Sequence, residues 1–303
     1  MSACETPFPA KARDIRNATF DSTLWDDFDF RDGDVVIDTW SKSGTTWAQQ
    51  IIAQLIFGGR EGIALAEVSP WYDCVLAPHD EIAERVRAQR HRRFLKTHLP
   101  ADALVISPRA KYVYIGRDGR DAVWSLHNHH LTFAPDVFEA INASPLLAGG
   151  ARFEPANPDV VEYFREWLAR DGYPWWPFWD HIRSWWNMRW LPNVLLLHFT
   201  EMTIDMPRQI RRIAGFLGIA IEEHNWPAIV EHCGFDYMKA HAETLAPFGG
   251  ALWNGGATTF MHKGTNGRWR DHLSSHDVRA YEERAREELG DECAYWLATG
   301  ERR

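Results

Sequence analysis

Apolar residues recur along the chain in two alternating rhythms. Short β-branched or leucine-rich runs stand at Val35-Val36-Ile37, within Arg92–His98, at Lys111–Gly116 and at Asn193–Phe199. Each has strand length. Between and after them, apolar positions return every three or four residues, the helical period. Trp47, Ile51, Ile52, Leu55 and Ile56 follow the first run in this way. The same spacing predicts helices over Asp80–Arg90, Ala122–Leu131, Pro158–Ala169, Met206–Leu217, Trp226–Cys233 and His276–Leu289. Pro100 stops the second strand, and Gly218 suits a helix C-cap. Strands alternating with helices predict an α/β protein of three layers, with a central parallel sheet flanked by helices on both faces.

Three stretches break the rhythm. Residues 1–33 read as an irregular lead-in with a short helix near Ser22–Phe28. Residues 133–157 and 244–267 are rich in Pro and Gly and lack periodicity. Aperiodic loops of that length are expected as mobile covers over a site. Tyr173–Trp190 carries Trp175, Trp176, Trp179, Trp185, Trp186 and Trp190. Its spacing predicts a buried helix, with an aromatic acceptor pocket as the second reading. No repeat or clean linker divides the chain, so residues 1–303 are expected to form a single domain.

Composition narrows the class. With 303 residues, 45% of them hydrophobic, and 16 Trp, the chain has ample material for a core. A net charge of −9 argues against a general nucleic-acid binder. Cys4, Cys74, Cys233 and Cys293 are scattered without zinc or redox spacing, which fits a reducing, cytoplasmic setting. The N-terminus lacks a signal-peptide pattern and no apolar run reaches membrane length, so no membrane partner is expected.

Candidate chemistry begins at Asp34–Trp47. A strand runs into Ser41-Lys-Ser-Gly-Thr-Thr46 and then into a helix start. Helix N-terminal N–H groups, the lysine charge of Lys42 and the hydroxyls of Ser43, Thr45 and Thr46 together form a cradle for phosphate or a similar oxyanion. The pattern is not a Walker A loop: Lys42 precedes the Ser-Gly-Thr-Thr, and Asp38 stands at the place of the first Gly. An ordinary Ser/Thr-rich helix cap is the competing reading. In a parallel sheet, ligands sit outside the carboxyl ends of the strands. That rule gathers Lys42, Lys96, His98, Arg117 and Ser125 on one rim, without a nearby carboxylate cluster to hold Mg²⁺. No metal site is therefore expected. His127, His129 and His130 lack an evident further ligand and read as helix-face or pocket residues.

Four segments, in order, resemble motifs of the cytosolic sulfotransferases that use PAPS (3′-phosphoadenosine 5′-phosphosulfate). They are Ser41–Trp47, Lys96-Thr-His-Leu-Pro100, Tyr114–Ser125 and Met261-His-Lys-Gly-Thr-Asn-Gly-Arg-Trp269. The resemblance implies the P-loop-NTPase-like sulfotransferase fold and a metal-independent, in-line transfer of a sulfuryl group from PAPS, leaving PAP. The acceptor it implies is a hydroxyl of a small molecule, with an amine as the secondary choice. The aromatic-rich segments suggest an aromatic or hydrophobic acceptor. Carried over by position, His98 is the general base, Lys42 assists the leaving group and Lys96 supports the sulfuryl group. Ser43, Gly44, Thr45 and Thr46 cradle the 5′-phosphate, while Trp47 and Phe235 lie near adenine. Arg117, Ser125, Lys263 and Gly264 hold the 3′-phosphate.

Departures from that family are specific. His262 stands where its motif has Arg, Arg268 where it has Asp, and Trp179 where many members have a phosphate-contacting Tyr. Arg270–Arg279 is a degenerate form of the dimerisation motif, so a homodimer stays open. Two rival functions remain at this stage: a Mg²⁺-dependent nucleotide kinase and a non-catalytic nucleotide-binding protein.

Overall fold

The computed structural model describes residues 8–147 and 152–302. Readings that touched residues 1–7 and 148–151 lie outside the described residues. In chain order the elements that matter here are β1 (Asp34–Thr39), α1 (Thr45–Ile56), α2 (His79–Ala88), β2 (Phe94–Thr97), β3 (Ala110–Gly116), α3 (Gly119–Leu131), α4 (Pro135–Asn142), α5 (Val160–Ala169), α6 (Phe178–Asn187), β4 (Val194–His198), α7 (Met206–Leu217) and α8 (Ser275–Thr299).

All four strands run parallel in the order β2-β1-β3-β4. Successive strand residues point to opposite faces, so each strand feeds two cores. Val35, Ile37, Phe94, Val113, Ile115 and Leu197 pack with Ile51 and Ile52 of α1 and Ile210 and Ile213 of α7. Each of those four isoleucines is fully buried, which contributes about 1.5–3 kcal/mol apiece. On the other face, Val36, Leu95, Tyr112, Tyr114 and Leu196 meet Trp124, Phe164, Trp167, Trp185 and Trp296 from α3, α5, α6 and α8. Burial on both faces explains why the strands read as continuous apolar runs.

β1 lies between β2 and β3. The chain leaves β1 for one neighbour and later crosses back to the other. Such a reversal opens a crevice at the carboxyl ends of the strands, and the loops after β1, β2 and β3 border it.

Three expectations are corrected. The segment 133–157 is not aperiodic throughout: it carries α4, with Pro135 in its first turn and Val137 and Ile141 buried. Their four-residue spacing was hidden by the flanking Pro and Gly residues. The tryptophan-rich helix covers Phe178–Asn187 rather than Tyr173–Trp190, because Pro177 takes the N-cap and its ring cannot sit inside a helix. Trp190 is not buried; it is 75% exposed, with the Arg189 guanidinium 4.4 Å from its ring centroid. The predicted C-terminal helix does end at Leu289: Gly290 (φ 73°, ψ 165°) is non-helical, and a second helical segment over 291–299 follows it.

Candidate functional site

Five residues join β1 to α1, and two of them are left-handed: Lys42 at φ 62° and Gly44 at φ 103°. A Cβ at Gly44 would also come within 3.0 Å of the Phe199 ring, so glycine is required both by conformation and by space. Among the described residues no side chain caps α1. Its first backbone bond runs from Ala48 N to Gly44 O at 2.9 Å. The N–H groups ahead of Ala48 are left without a helix partner, and the positive end of the macrodipole lies behind them. Thr45 Oγ1 is bonded to Thr39 Oγ1 at 2.6 Å. Ser43 Oγ is buried with no partner among the described residues. A buried, unpaired hydroxyl beside unpaired helix N–H groups is a donor set that an oxyanion would satisfy.

The cations around this cradle are poorly compensated. Lys42 Nζ lies 3.3 Å from His129 Nδ1 and 4.2 Å from the Phe260 ring centroid. Burial, then the charges of Arg117 and Lys96, lower its pKa to about 7. Lys96 Nζ sits 4.8 Å from the Trp71 ring centroid, and burial lowers its pKa to about 8. Burial lowers Arg117 to about 10. Asp121 lines the same cavity, but burial and then Asp118 raise its pKa to about 6, and its Oδ1 accepts from Gly267 N. Desolvated cations without matching carboxylates gain from a bound polyanion.

His98 follows β2. Its Nδ1 donates to the Thr39 carbonyl oxygen at 2.7 Å, which leaves the lone pair on Nε2. The ring meets Trp71 edge-on at 5.0 Å and Trp176 at 5.5 Å. Burial, then the Lys96 charge, hold its pKa well below 6.5. His98 is thus neutral near pH 7 and able to take a proton.

Arg117 departs from the simple phosphate clamp expected of it. Nη1 donates to Lys42 O at 2.7 Å, Nε and Nη2 to Asn266 Oδ1 at 3.0 and 2.8 Å, and Nη2 also to Thr265 O at 3.1 Å. The guanidinium fastens the 261–269 segment to the anion loop and keeps one Nη1 donor in reserve. Asn266 is the functional candidate that sequence reading missed. It stood inside the quoted motif but at a position the motif leaves variable.

The structure brings the other expected residues to one cavity of about 250 Å³. Gly44, Thr45, Thr46, Trp47 and Ser125 line it, as do Phe235, His262, Lys263 and Gly264. Ser43 lies beneath the lining, fully buried. Trp47 donates from Nε1 to Cys233 O at 2.9 Å. A Cβ at Gly264 (φ 64°) would meet the Phe235 ring at 2.8 Å. Arg268 also lines the cavity, and its charge reaches His262.

Trp179, at the place of a phosphate-contacting Tyr in the resemblance, follows the buried-helix reading of its segment. It is 1% exposed and packs on Trp167, Phe178 and Tyr281 in the core. Phe199 reaches the cavity instead, with its ring 4.0 Å from Arg117. The three histidines of α3 go separate ways. His127 bonds Asn157 O, His130 bonds Tyr163 Oη, and His129 faces Lys42. Among the described residues no group of three or more His, Cys, Asp or Glu is arranged to hold a metal ion, and no helix is long and apolar enough to cross a membrane.

Comparison with known proteins bears on this site. A glycolipid sulfotransferase of Mycobacterium bovis (strain BCG / Pasteur 1173P2) is 29% identical, covering 95% of this chain and 94% of that one. Human sulfotransferase 2B1 is 28% identical over 86% of this chain and 67% of its own. The fold matches a mouse sulfotransferase, SULT7A1, solved with PAP, at TM-score 0.70 and 21% identity over 91% of each chain. Retinol dehydratase, solved with retinol and PAP, matches at TM-score 0.66 and 22% identity over 89% of this chain and 84% of that one. At such identities the structural likeness establishes the shared fold. Residues 32–292 match the family model described as the sulfotransferase domain, and the chain belongs to that family.

Proposed function

We propose that the chain, acting as one domain over residues 1–303, transfers a sulfuryl group from PAPS to a hydroxyl of a small aromatic or hydrophobic acceptor. The observation that carries this reading is the convergence of Lys42, Lys96, Arg117 and neutral His98 on one cavity, beside the uncapped start of α1. The unpaired Ser43 hydroxyl and the α1 N–H groups fit the 5′-phosphate of such a donor. When bound, PAPS supplies the sulfuryl group and leaves as PAP.

The chain's own residues do the rest. His98 Nε2 takes the proton of the acceptor hydroxyl as the new O–S bond forms. Lys42 and Lys96 bring positive charge to the oxygens that gain negative charge during transfer. Trp47 and Phe235 flank the adenine side. Arg117, Ser125, His262, Lys263 and Gly264 serve the 3′-phosphate, with Arg268 adding charge. Trp71, Trp175, Trp176, Val137 and Ile141 add apolar lining to the cavity, with Trp71 and Trp176 packed against His98, which supports the acceptor class. A protonated amine would enter a site that already holds three cations, which favours a hydroxyl over an amine.

The deciding experiment is a screen of phenols, alcohols, amines and glycolipids with labelled PAPS; glycolipids enter because a relative bears that name. Label is expected in a hydroxylic acceptor. Turnover is expected to survive EDTA. Complete loss, restored by Mg²⁺, would instead favour a metal-dependent phosphoryl transfer. Arg117→Ala is expected to weaken PAP binding by on the order of 2 kcal/mol, since it removes a charge-assisted donor and loosens the 261–269 segment. Calorimetry showing unchanged affinity would remove Arg117 from the site.

A further inference from the structure

His129 touches both Lys42 of the anion loop and aromatic side chains of the cavity, and sulfuryl transfer as described makes no use of it. It lies on α3 and lines the cavity. Aromatic rings surround it: Phe133 and Trp253 at 4.9 Å, Trp175 at 5.8 Å and Phe260 at 6.0 Å between centroids. Within this cage its Nδ1 faces Lys42 Nζ at 3.3 Å. Its Nε2 has no protein partner among the described residues.

The tautomer follows from the partner. A bound anionic donor keeps Lys42 charged, and an ammonium only donates. Nδ1 therefore accepts, and the ring proton resides on Nε2. Burial, then the Lys42 charge, hold the His129 pKa well below 6.5, so the ring is neutral. The result is one N–H donor presented to the cavity beside aromatic rings. An acceptor that displaces cavity water but offers this donor no oxygen leaves it unpaired, which costs about 1–3 kcal/mol.

We propose that His129 determines acceptor specificity: its Nε2–H donates to a second oxygen of the acceptor, such as an ether, carbonyl or further hydroxyl, apart from the hydroxyl that is sulfated. This rests on the sulfotransfer reading above. The preferred acceptor is then an apolar or aromatic alcohol or phenol carrying one additional oxygen, rather than a pure hydrocarbon with a single hydroxyl. His129 is a positioning residue here and takes no proton from the reacting group.

The test compares isosteric acceptors that differ by one oxygen: propylphenols and (methoxymethyl)phenols, each as the 2-, 3- and 4-isomers. Labelled PAPS is the donor, and kcat/KM is read for each. In the unmodified protein the ether is expected to exceed its alkyl isostere by roughly tenfold or more in at least one positional pair. His129→Phe should bring that ratio close to one, and His129→Gln, which keeps an N–H donor, should retain part of it. The ratio is taken within one variant, so a general loss of donor binding or folded fraction cancels. If His129→Phe is inactive, His129→Leu supplies the comparison. Ratios near one in the unmodified protein, or ratios unchanged by these substitutions, overturn the inference while leaving sulfotransfer intact. Absence of turnover with any acceptor of the wider screen overturns both.

Discussion

Replacing His98 by alanine is expected to lower kcat by roughly 10²–10⁴-fold while PAP affinity stays close to that of the unmodified protein. The reason lies in its two nitrogens. Nδ1 is committed to the Thr39 carbonyl, so the ring is fixed as the tautomer whose lone pair is on Nε2. Burial, then the Lys96 charge, keep that lone pair unprotonated at neutral pH. The sign of the pH dependence follows. Activity is lost as pH falls through the His98 pKa, so the acid limb attributable to His98 should lie well below pH 6.5. In His98→Ala this limb should vanish. His98→Asn can in principle retain a donor toward Thr39, and it should remain slow, because an amide cannot serve as the base. A purely structural His98 would behave differently: His98→Asn would keep near-normal turnover, and the loss in His98→Ala would track its melting temperature. Single-turnover rates with labelled PAPS, beside thermal unfolding of each variant, separate the two.

Much of this architecture was legible because its signals are local. The β1–α1 unit combines a β-branched strand, a small polar Ser-Lys-Ser-Gly-Thr-Thr turn and a helix start, all within a few residues. The strands, buried on both faces, announced themselves as uninterrupted apolar runs. The rim rule then placed Lys42, Lys96, His98 and Arg117 together before any contact was known. What escaped detection depends on distant partners. Pro177 starts the tryptophan-rich helix late, leaving Trp175 and Trp176 outside it to line the cavity, and the helix ends at Asn187, before solvent-facing Trp190. α4 was masked by its flanking Pro and Gly residues. Arg117 looked like a bare phosphate ligand, yet most of its donors go to Asn266, Thr265 and Lys42 O. Those partners lie up to 149 positions away, and no periodicity records them. Phe199 at the cavity escaped for the same reason: a linear pattern cannot say which aromatic the fold turns toward the site.

Lys42→Met is expected to lower kcat by roughly 10²–10³-fold, the scale for losing one preorganised electrostatic contact to a developing charge. It should also change the proton balance of PAP binding. In the ligand-free site, burial and the charges of Arg117 and Lys96 bring Lys42 down to about 7. A group so depressed is partly neutral just above pH 7. A polyanion placed against it favours the charged form and raises the pKa again. Binding therefore takes up a proton as pH rises past 7, and affinity for PAP falls with increasing pH over that range. Lys96, lowered to about 8, extends the same behaviour upward. Calorimetry in two buffers of different ionisation enthalpy measures the uptake directly. Unmodified protein should take up protons between pH 7 and 8; Lys42→Met, which keeps the apolar stem against Phe260, should lose the lower part and retain the contribution of Lys96. Equal uptake in both proteins would mean that Lys42 stays charged in the ligand-free site, and a near-normal kcat would mean that its charge is not directed at the leaving group. Either result would move the anion-handling role from Lys42 to Lys96 and Arg117.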